Sequence, residues 1–287
     1  MSQGRFVIDM FPGGAIVPAT TEVEAMRTGV IDFTNGGWYH KALDPAASLF
    51  GQYCGGLSCI QYGVWYEGLG GRELASEGLS RLGVTFLEYQ FMVPEDWAYT
   101  TIPLETLADL KKLKMRTWGE GGEILQRLGA ATVFMPGGEI YESMQRGVIN
   151  SFEYGSAWSA WDMGFHEVIK YLYQSYSRAP ADTGFYGART ESYQALPDDL
   201  KAMLNAACRS EIWTYYFHSV KGDADALKNI ADYGVKVLPL PKDIETAFRA
   251  EAKKFYDEKM QTEGDFYRRV MQSMRDAKEA MEKVGIY

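Results

Sequence analysis

Two stretches of this chain nearly repeat each other, and that repeat restricts the fold more than any other feature. Residues 11–16 read FPGGAI and residues 135–140 read MPGGEI; residues 24–31 read EAMRTGVI and residues 142–149 read ESMQRGVI. Each copy runs from an apolar strand through a Pro-Gly-Gly turn into a helix, a Gly stop and a second apolar strand. A spacing of 118–124 residues is too long for a solenoid or a propeller and suits two similar α/β lobes facing each other across a cleft. Five identities in eight over the longer stretch favour a true repeat over the common junction in which Gly simply ends a helix.

The remaining pattern alternates strand and helix, which predicts mostly parallel sheets. Strands are expected at Phe6–Met10, Val30–Thr34, Val84–Tyr89, Met115–Trp118, Val148–Phe152, Thr183–Ala188 and Val235–Leu240. Helices are expected near Ala19–Thr28, Leu57–Leu69, Arg72–Leu82 and Leu104–Leu113. Pro197 opens a long helix to about Val220, and the chain is helical and amphipathic from Lys242 onward. No low-complexity linker separates the halves, so the lobes should be discontinuous: 1–92 with 179–221, and 93–178 with 222–287. A length of 287 residues accommodates one large or two ordinary domains.

A net charge of −9 argues against binding nucleic acid or an anionic membrane, which needs a basic face. It leaves room for an anionic ligand, because one buried Arg decides that locally. Cys54, Cys59 and Cys208 are odd in number and lack CxxC spacing, so they read as buried hydrophobes rather than a disulfide framework or a zinc site. No run of 18 apolar residues occurs, so no membrane-spanning helix is expected. The opening MSQGRFVIDMF has no basic region followed by an apolar stretch and is not a signal peptide.

Chemistry is sparse. His40, His166 and His218 make no HxxxH pair, and GxSxG, P-loop and GxGxxG motifs are absent, which weighs against an enzyme. Arg116 stands on a short strand leading into a Gly-rich turn and a helix, where ligands of open α/β sheets bind. A guanidinium there can hold a carboxylate through two parallel hydrogen bonds; an exposed or structurally paired Arg fits the sequence equally well. Glu153 and Tyr154 end the matching strand of the second copy, where a carboxylate could ligate a hard cation or accept a ligand hydroxyl. Trp38, Tyr39 and His40 end the equivalent strand of the first copy, either as cleft wall or as plain packing. Glu95, Asp96 and Trp97 read by themselves as a solvated loop.

The segments FVIDMFPGGAIVPATTEVEAMRTGVIDF, ETLADLKKLKMRTWG, MPGGEIYESMQRGVINSFEYG and SYQALPDDLKAML, in this order, resemble the DctP-type solute-binding subunits of TRAP transporters, the tripartite ATP-independent periplasmic carriers of organic acids. The branch that binds 2-oxo acids and lactate is the most similar. The resemblance implies a two-lobed, periplasmic-binding-protein-like α/β fold with a ligand cleft between the lobes and long C-terminal helices. It implies that Arg116 clamps a ligand carboxylate and that Glu153 and Tyr154 correspond to a Glu-Trp pair that holds a metal ion bridging to the ligand. Trp38 and Tyr39 would shape the opposite wall. Where the branch has a metal-binding Gln, this chain has Glu95-Asp96, and Asp96 could complete the shell.

No cofactor is required by this resemblance, although a calcium or sodium ion could bridge to the ligand. Family members carry a signal peptide and a further strand and helix before the segment matching SQGRFVIDMF, so a first strand–helix unit of roughly 30 residues or more is expected to be missing. The function implied is periplasmic capture of a small organic carboxylate, a 2-oxo or hydroxy acid, for the membrane subunits of a TRAP transporter, as a monomer or homodimer. A metal-assisted α/β enzyme acting on an oxo acid, using Glu95, Asp96 and Glu153, and a sensory ligand-binding module are the alternatives.

Overall fold

The computed structural model describes residues 2–18 and 20–287. Among these, nine strands form two sheets: β1 (Phe33–Gly37), β2 (Val84–Met92), β3 (Ala98–Thr100), β4 (Lys114–Arg116), β5 (Ala131–Val133), β6 (Ser151–Phe152), β7 (Tyr171–Gln174), β8 (Asp182–Arg189) and β9 (Lys236–Pro239). The smaller sheet has the order β1-β8-β2 and the larger β5-β4-β6-β3-β7-β9. Helices cover both, giving the expected two-lobed α/β architecture.

The sheets are not mostly parallel. The smaller one is antiparallel throughout, and the larger is antiparallel on both sides of β3 and parallel elsewhere. The cause is the way the chain changes lobes. It leaves the smaller sheet along 93–97, directly from β2 into β3, and returns along 175–181 from β7 into β8. The two crossings run side by side in opposite directions, tied by Glu95 N–H to the Ala179 carbonyl (3.2 Å) and Trp97 N–H to that of Tyr173 (2.9 Å). A strand entered through such a crossing opposes the local βα units beside it.

The helix Asp198–Tyr233 is 36 residues long, about 54 Å at 1.5 Å per residue. Its Leu204 and Cys208 pack under the smaller sheet, while Ala226 and Ile230 join the core of the larger. It does not end near Val220, because Gly222 serves packing rather than termination: a Cβ there would lie 2.7 Å from the Trp158 indole. The stop is Gly234, at φ 111°. Of the last two helices, Lys242–Thr262 and Asp265–Glu282, the second packs back on Cys59–Gly68 and Gly71–Ser80 beside the smaller sheet.

The repeat is present in three dimensions where the helix stops. Gly29 and Gly147 both take the left-handed conformation, at φ 76° and 70°. Gly29 N–H reaches Met26 O and Gly147 N–H reaches Met144 O, each at 3.1 Å; Val30 N–H reaches Ala25 O and Val148 N–H reaches Ser143 O, each at 2.9 Å. The same αL cap therefore launches β1 and β6. Upstream the copies differ. The expected strand Phe6–Met10 is not formed: Phe6 and Ile8 turn inward against the Tyr186–Leu204 cluster, and Val7 and Met10 stay about 70% exposed, yet no ladder closes. A cavity of about 510 Å³ lies between this segment and residues 30–35, which line it together. The first helix runs Glu22–Thr28 rather than from Ala19, which lies outside the described residues.

His40 sits just beyond β1, 3% exposed, with its Nδ1 unpartnered and its ring against Trp38 and Phe185. Burial lowers its pKa from 6.5 to about 4. Below pH 6.5 the unfolded chain takes up a proton that the folded chain refuses, so this group's contribution to stability is intact above pH 6.5 and is lost as the pH falls toward 4. The expected outcome is a loss of about 2 kcal/mol between pH 7 and pH 5, read as the difference in urea unfolding between the native chain and His40→Gln. A difference that does not change with pH would refute it.

Candidate functional site

The C-terminal ends of β4 and β6 lie next to each other because these strands pair in parallel, with Met115 opposite Ser151 and Arg116 opposite Phe152. That register sets Arg116 beside Glu153, at the strand ends where α/β sheets present their binding residues. Arg116 donates Nε to the Met135 carbonyl (3.0 Å) and Nη1 to the Glu153 carbonyl (2.7 Å) and carboxylate (3.3 Å). Its guanidinium lies between the rings of Phe134 and Tyr154, at 5.4 and 5.6 Å. Nη2 has no hydrogen-bond partner among the described residues. Gly137, of the second Pro-Gly-Gly, lets Tyr154 come this close: a Cβ there would fall within 2.5 Å of its ring.

The two crossings bring three more ionisable groups to the same place. Arg178, on the return crossing, is 1% exposed. It donates Nη2 to Glu95 and to the Asp96 carbonyl and holds Nη1 3.1 Å from Glu153; its Nε has no partner. Gly121, in the Gly-rich start of the helix Gly119–Arg127, makes room for it, since a Cβ there would meet the Arg178 side chain at 3.2 Å. Glu95 also accepts from Gly155 N–H (3.1 Å) and Glu153 from Trp118 N–H (2.6 Å). Asp182, at the start of β8, completes the set.

These groups bias one another. Burial and the nearby Glu153 and Asp182 charges drive the Glu95 carboxyl far above the usual range, against the pull of Arg178. Burial and Glu153 likewise raise Asp182 to about 7. Burial acts on Glu153 too, but Arg178 and Arg116 overcome it and hold its pKa down.

Tyr39 reaches this cluster from the other lobe. Burial and the charges of Asp182, Glu95 and Glu153 keep its phenol protonated, and its ring meets Trp118 edge-on at 5.2 Å. At the rim, Lys41 pairs with Glu123 across the lobes at 3.1 Å; both are well exposed, so the pair contributes little. Trp38 is packed in the core on Phe50 and Phe185, at 4.7 and 4.6 Å, one residue away from the cluster. Asp96 is not brought into it. Successive residues of an extended segment face opposite ways, so Glu95 points in while Asp96 accepts from Tyr99 Oη (2.7 Å) and Gln174 Nε2 (3.2 Å) on the far side.

Sequence reasoning missed Arg178 and Asp182, and it placed Asp96 rather than Glu95 in the binding site, giving Glu95 a part only in the metal-assisted alternative. The available signal was Arg178 itself, a lone cation among the small residues Ser177, Ala179 and Ala181. If the fork is what stabilises this region, Arg178→Met alone should cost about 3–5 kcal/mol, because it strands buried carboxylates. Adding Glu153→Gln should recover part of that loss in urea unfolding; strict additivity of the two changes would contradict it.

The family model described as bacterial extracellular solute-binding protein, family 7, matches residues 1–263. A monocarboxylate 2-oxoacid-binding periplasmic protein of Nostoc sp. is 24% identical over 246 residues, 85% of this chain and 67% of that protein. Among solved structures, a TRAP transporter solute binding protein from Bordetella bronchiseptica superposes with a TM-score of 0.89 at 22% identity, over 98% of this chain and 85% of that one. That structure is a dimer of mixed occupancy with copurified calcium and picolinate in one site and the other apo. A TRAP periplasmic solute binding protein from Pseudoalteromonas atlantica, with bound sodium and pyruvate, gives 0.86 at 23% identity, over 92% and 80%.

Proposed function

Because the chain belongs to the bacterial extracellular solute-binding proteins of family 7, we propose that it captures a small organic monocarboxylate, a 2-oxo or hydroxy acid, in the periplasm and delivers it to the membrane subunits of a TRAP transporter. The family and the structural neighbours are solute-binding proteins rather than enzymes, and nothing beyond binding and closure is asked of the site. The lobes of this reading are 1–92 with 179–221 and 93–178 with 222–287, the last helix returning to the first.

The observation that carries the reading is the immobilised Arg116. Two of its three nitrogens are fixed on Met135 and Glu153 and its faces are covered by Phe134 and Tyr154, while Nη2 keeps its hydrogens. A guanidinium held this way needs no reorganisation to receive a carboxylate. Tyr39 and Tyr154 add phenol hydroxyls for the oxo or hydroxy group. Glu153 orients Arg116, Trp38 backs Tyr39, and Asp96 has no direct part because its carboxylate is committed to Tyr99 and Gln174. Solute touching Arg116 in one lobe and Tyr39 in the other selects the closed form.

A thermal-unfolding screen with pyruvate, lactate, pyroglutamate and picolinate tests this. At a hundredfold excess over its dissociation constant a true solute stabilises the folded chain by about 2.7 kcal/mol. Arg116→Ala should abolish that shift for every acid, and Asp96→Asn should preserve it. Retained binding in the Arg116 variant would refute the assignment.

A further inference from the structure

The structural neighbours hold calcium with picolinate and sodium with pyruvate, and the buried carboxylate cluster of this chain can be tested for the same capacity. A hard cation needs six or more oxygen ligands with free lone pairs, two or more of them from carboxylates here. Each of the four carboxylate oxygens of Glu95 and Glu153 already accepts from, or faces, at least one N–H donor. Glu95 Oε1 accepts from Gly155 N–H at 3.1 Å and Oε2 from Arg178. Glu153 Oε1 accepts from Trp118 N–H at 2.6 Å and from Arg116 at 3.3 Å, and Oε2 faces Arg178 Nη1 at 3.1 Å. The Glu153 carbonyl is taken by Arg116 at 2.7 Å, and Asp96 is turned away. Among the described residues no group of three or more His, Cys, Asp or Glu is arranged to hold a metal ion.

What lies between Glu95 and Glu153 is the Arg178 guanidinium. It is the positive charge that the two carboxylates share, and it cannot move aside cheaply: the side chain is buried against Gly121, where an added Cβ would lie 3.2 Å from its stem, and carried by a crossing segment whose Ser177 carbonyl is fixed by Gly55 N–H at 2.7 Å. A divalent ion bridging the same carboxylates would stand against a like charge at a buried position, where screening by bulk water is weak. With Arg178 seated between them, Glu95 and Glu153 do not fit calcium or sodium.

We propose that Arg178 replaces, as a covalently attached cation, the metal ion held by those neighbours, so that this chain binds its carboxylate solute without metal. The proposal rests on the reading of Arg116 as the carboxylate clamp only for its solute arm; the metal arm stands alone. A guanidinium differs from a metal in consequence as well as origin. It offers hydrogen bonds in one plane and cannot accept a ligand oxygen into an open coordination position, so the solute would be held by hydrogen bonds alone. Affinity would also be insensitive to the calcium content of the surroundings.

The experiment uses the full chain after exhaustive chelation. Terbium luminescence sensitised by Trp118, and thermal unfolding with and without millimolar calcium, report metal directly. Calorimetry with pyruvate, in chelator and in calcium, reports the solute arm. The proposal expects no saturable terbium signal, no calcium shift, and a pyruvate affinity that changes by less than about twofold on chelation. Arg178→Gln keeps hydrogen-bond donors but removes the charge, and should make terbium binding and a calcium-dependent shift appear. Saturable terbium or calcium binding to the native chain, lost in Glu153→Gln, would overturn the proposal, as would a fall in pyruvate affinity of about tenfold or more on chelation (about 1.4 kcal/mol). If Arg178→Gln fails to fold, the native chain decides by itself. If pyruvate does not bind in any condition, the solute reading is weakened and the terbium and calcium results still decide this one.

Discussion

The buried fork of Arg178 between Glu95 and Glu153 ties together parts of the chain that nothing else joins at one point. Glu95 belongs to the outgoing crossing, Arg178 to the return, and Glu153 to the end of β6; through Glu153 the fork also reaches Trp118 N–H and Arg116. Ionised groups this deep are tolerated only where each is matched by opposite charge and hydrogen bonds. Local sequence choices follow from that. Gly121 leaves space for the Arg178 stem, Gly137 for the Tyr154 ring that covers Arg116, and Gly155 N–H supplies a donor to Glu95. The glycine-rich character of 119–122 and of the second Pro-Gly-Gly turn is thus more than turn chemistry: at Gly121 it is absence of volume beside the Arg178 stem, and at Gly137 beside the Tyr154 ring.

Much of the fold was legible because its signals are local. The αL stop at Gly29 and Gly147 followed from the EAMRTGVI and ESMQRGVI match, and the hydrogen bonds of the two caps correspond atom for atom. Where the sequence misled, a non-local partner decided. Phe6–Met10 alternates inward and outward as a strand should, but a ladder needs an edge within reach, and a cavity intervenes. The long helix was expected to end near Val220; whether the glycine at 222 breaks the helix or accepts a neighbour depends on Trp158, 64 residues earlier in the chain. Strand direction in the larger sheet depended on the two crossings, and no periodicity reports whether an extended segment changes lobes.

The same division holds at the site. Arg116 and Glu153 could be read because each ends a strand and parallel register makes strand ends coincide. Tyr39 could be read for a similar reason in the other lobe. Arg178 and Asp182 could not, since their importance arises from the path of the return crossing. The choice between Glu95 and Asp96 turned on a single step of side-chain alternation along 93–97, which the adjacent acids in the sequence leave open.

Closure of the lobes over these groups carries its own selectivity. Arg116, Glu153 and Arg178 are all at most 6% exposed, so whatever water they hold in a more open form is lost when Tyr39 meets Trp118. Arg116 Nη2 is the guanidinium nitrogen left free on the clamp, Nε and Nη1 being fixed on Met135 and Glu153. An uncharged solute of the same shape would leave that donor buried and unpaired, a cost of about 1–3 kcal/mol or more for a charged group, while a carboxylate would satisfy it. Discrimination between acid and neutral analogue therefore arises less from attraction than from the penalty of closing on the wrong molecule. The penalty is paid only in the closed form, and recognition and closure are consequently the same event.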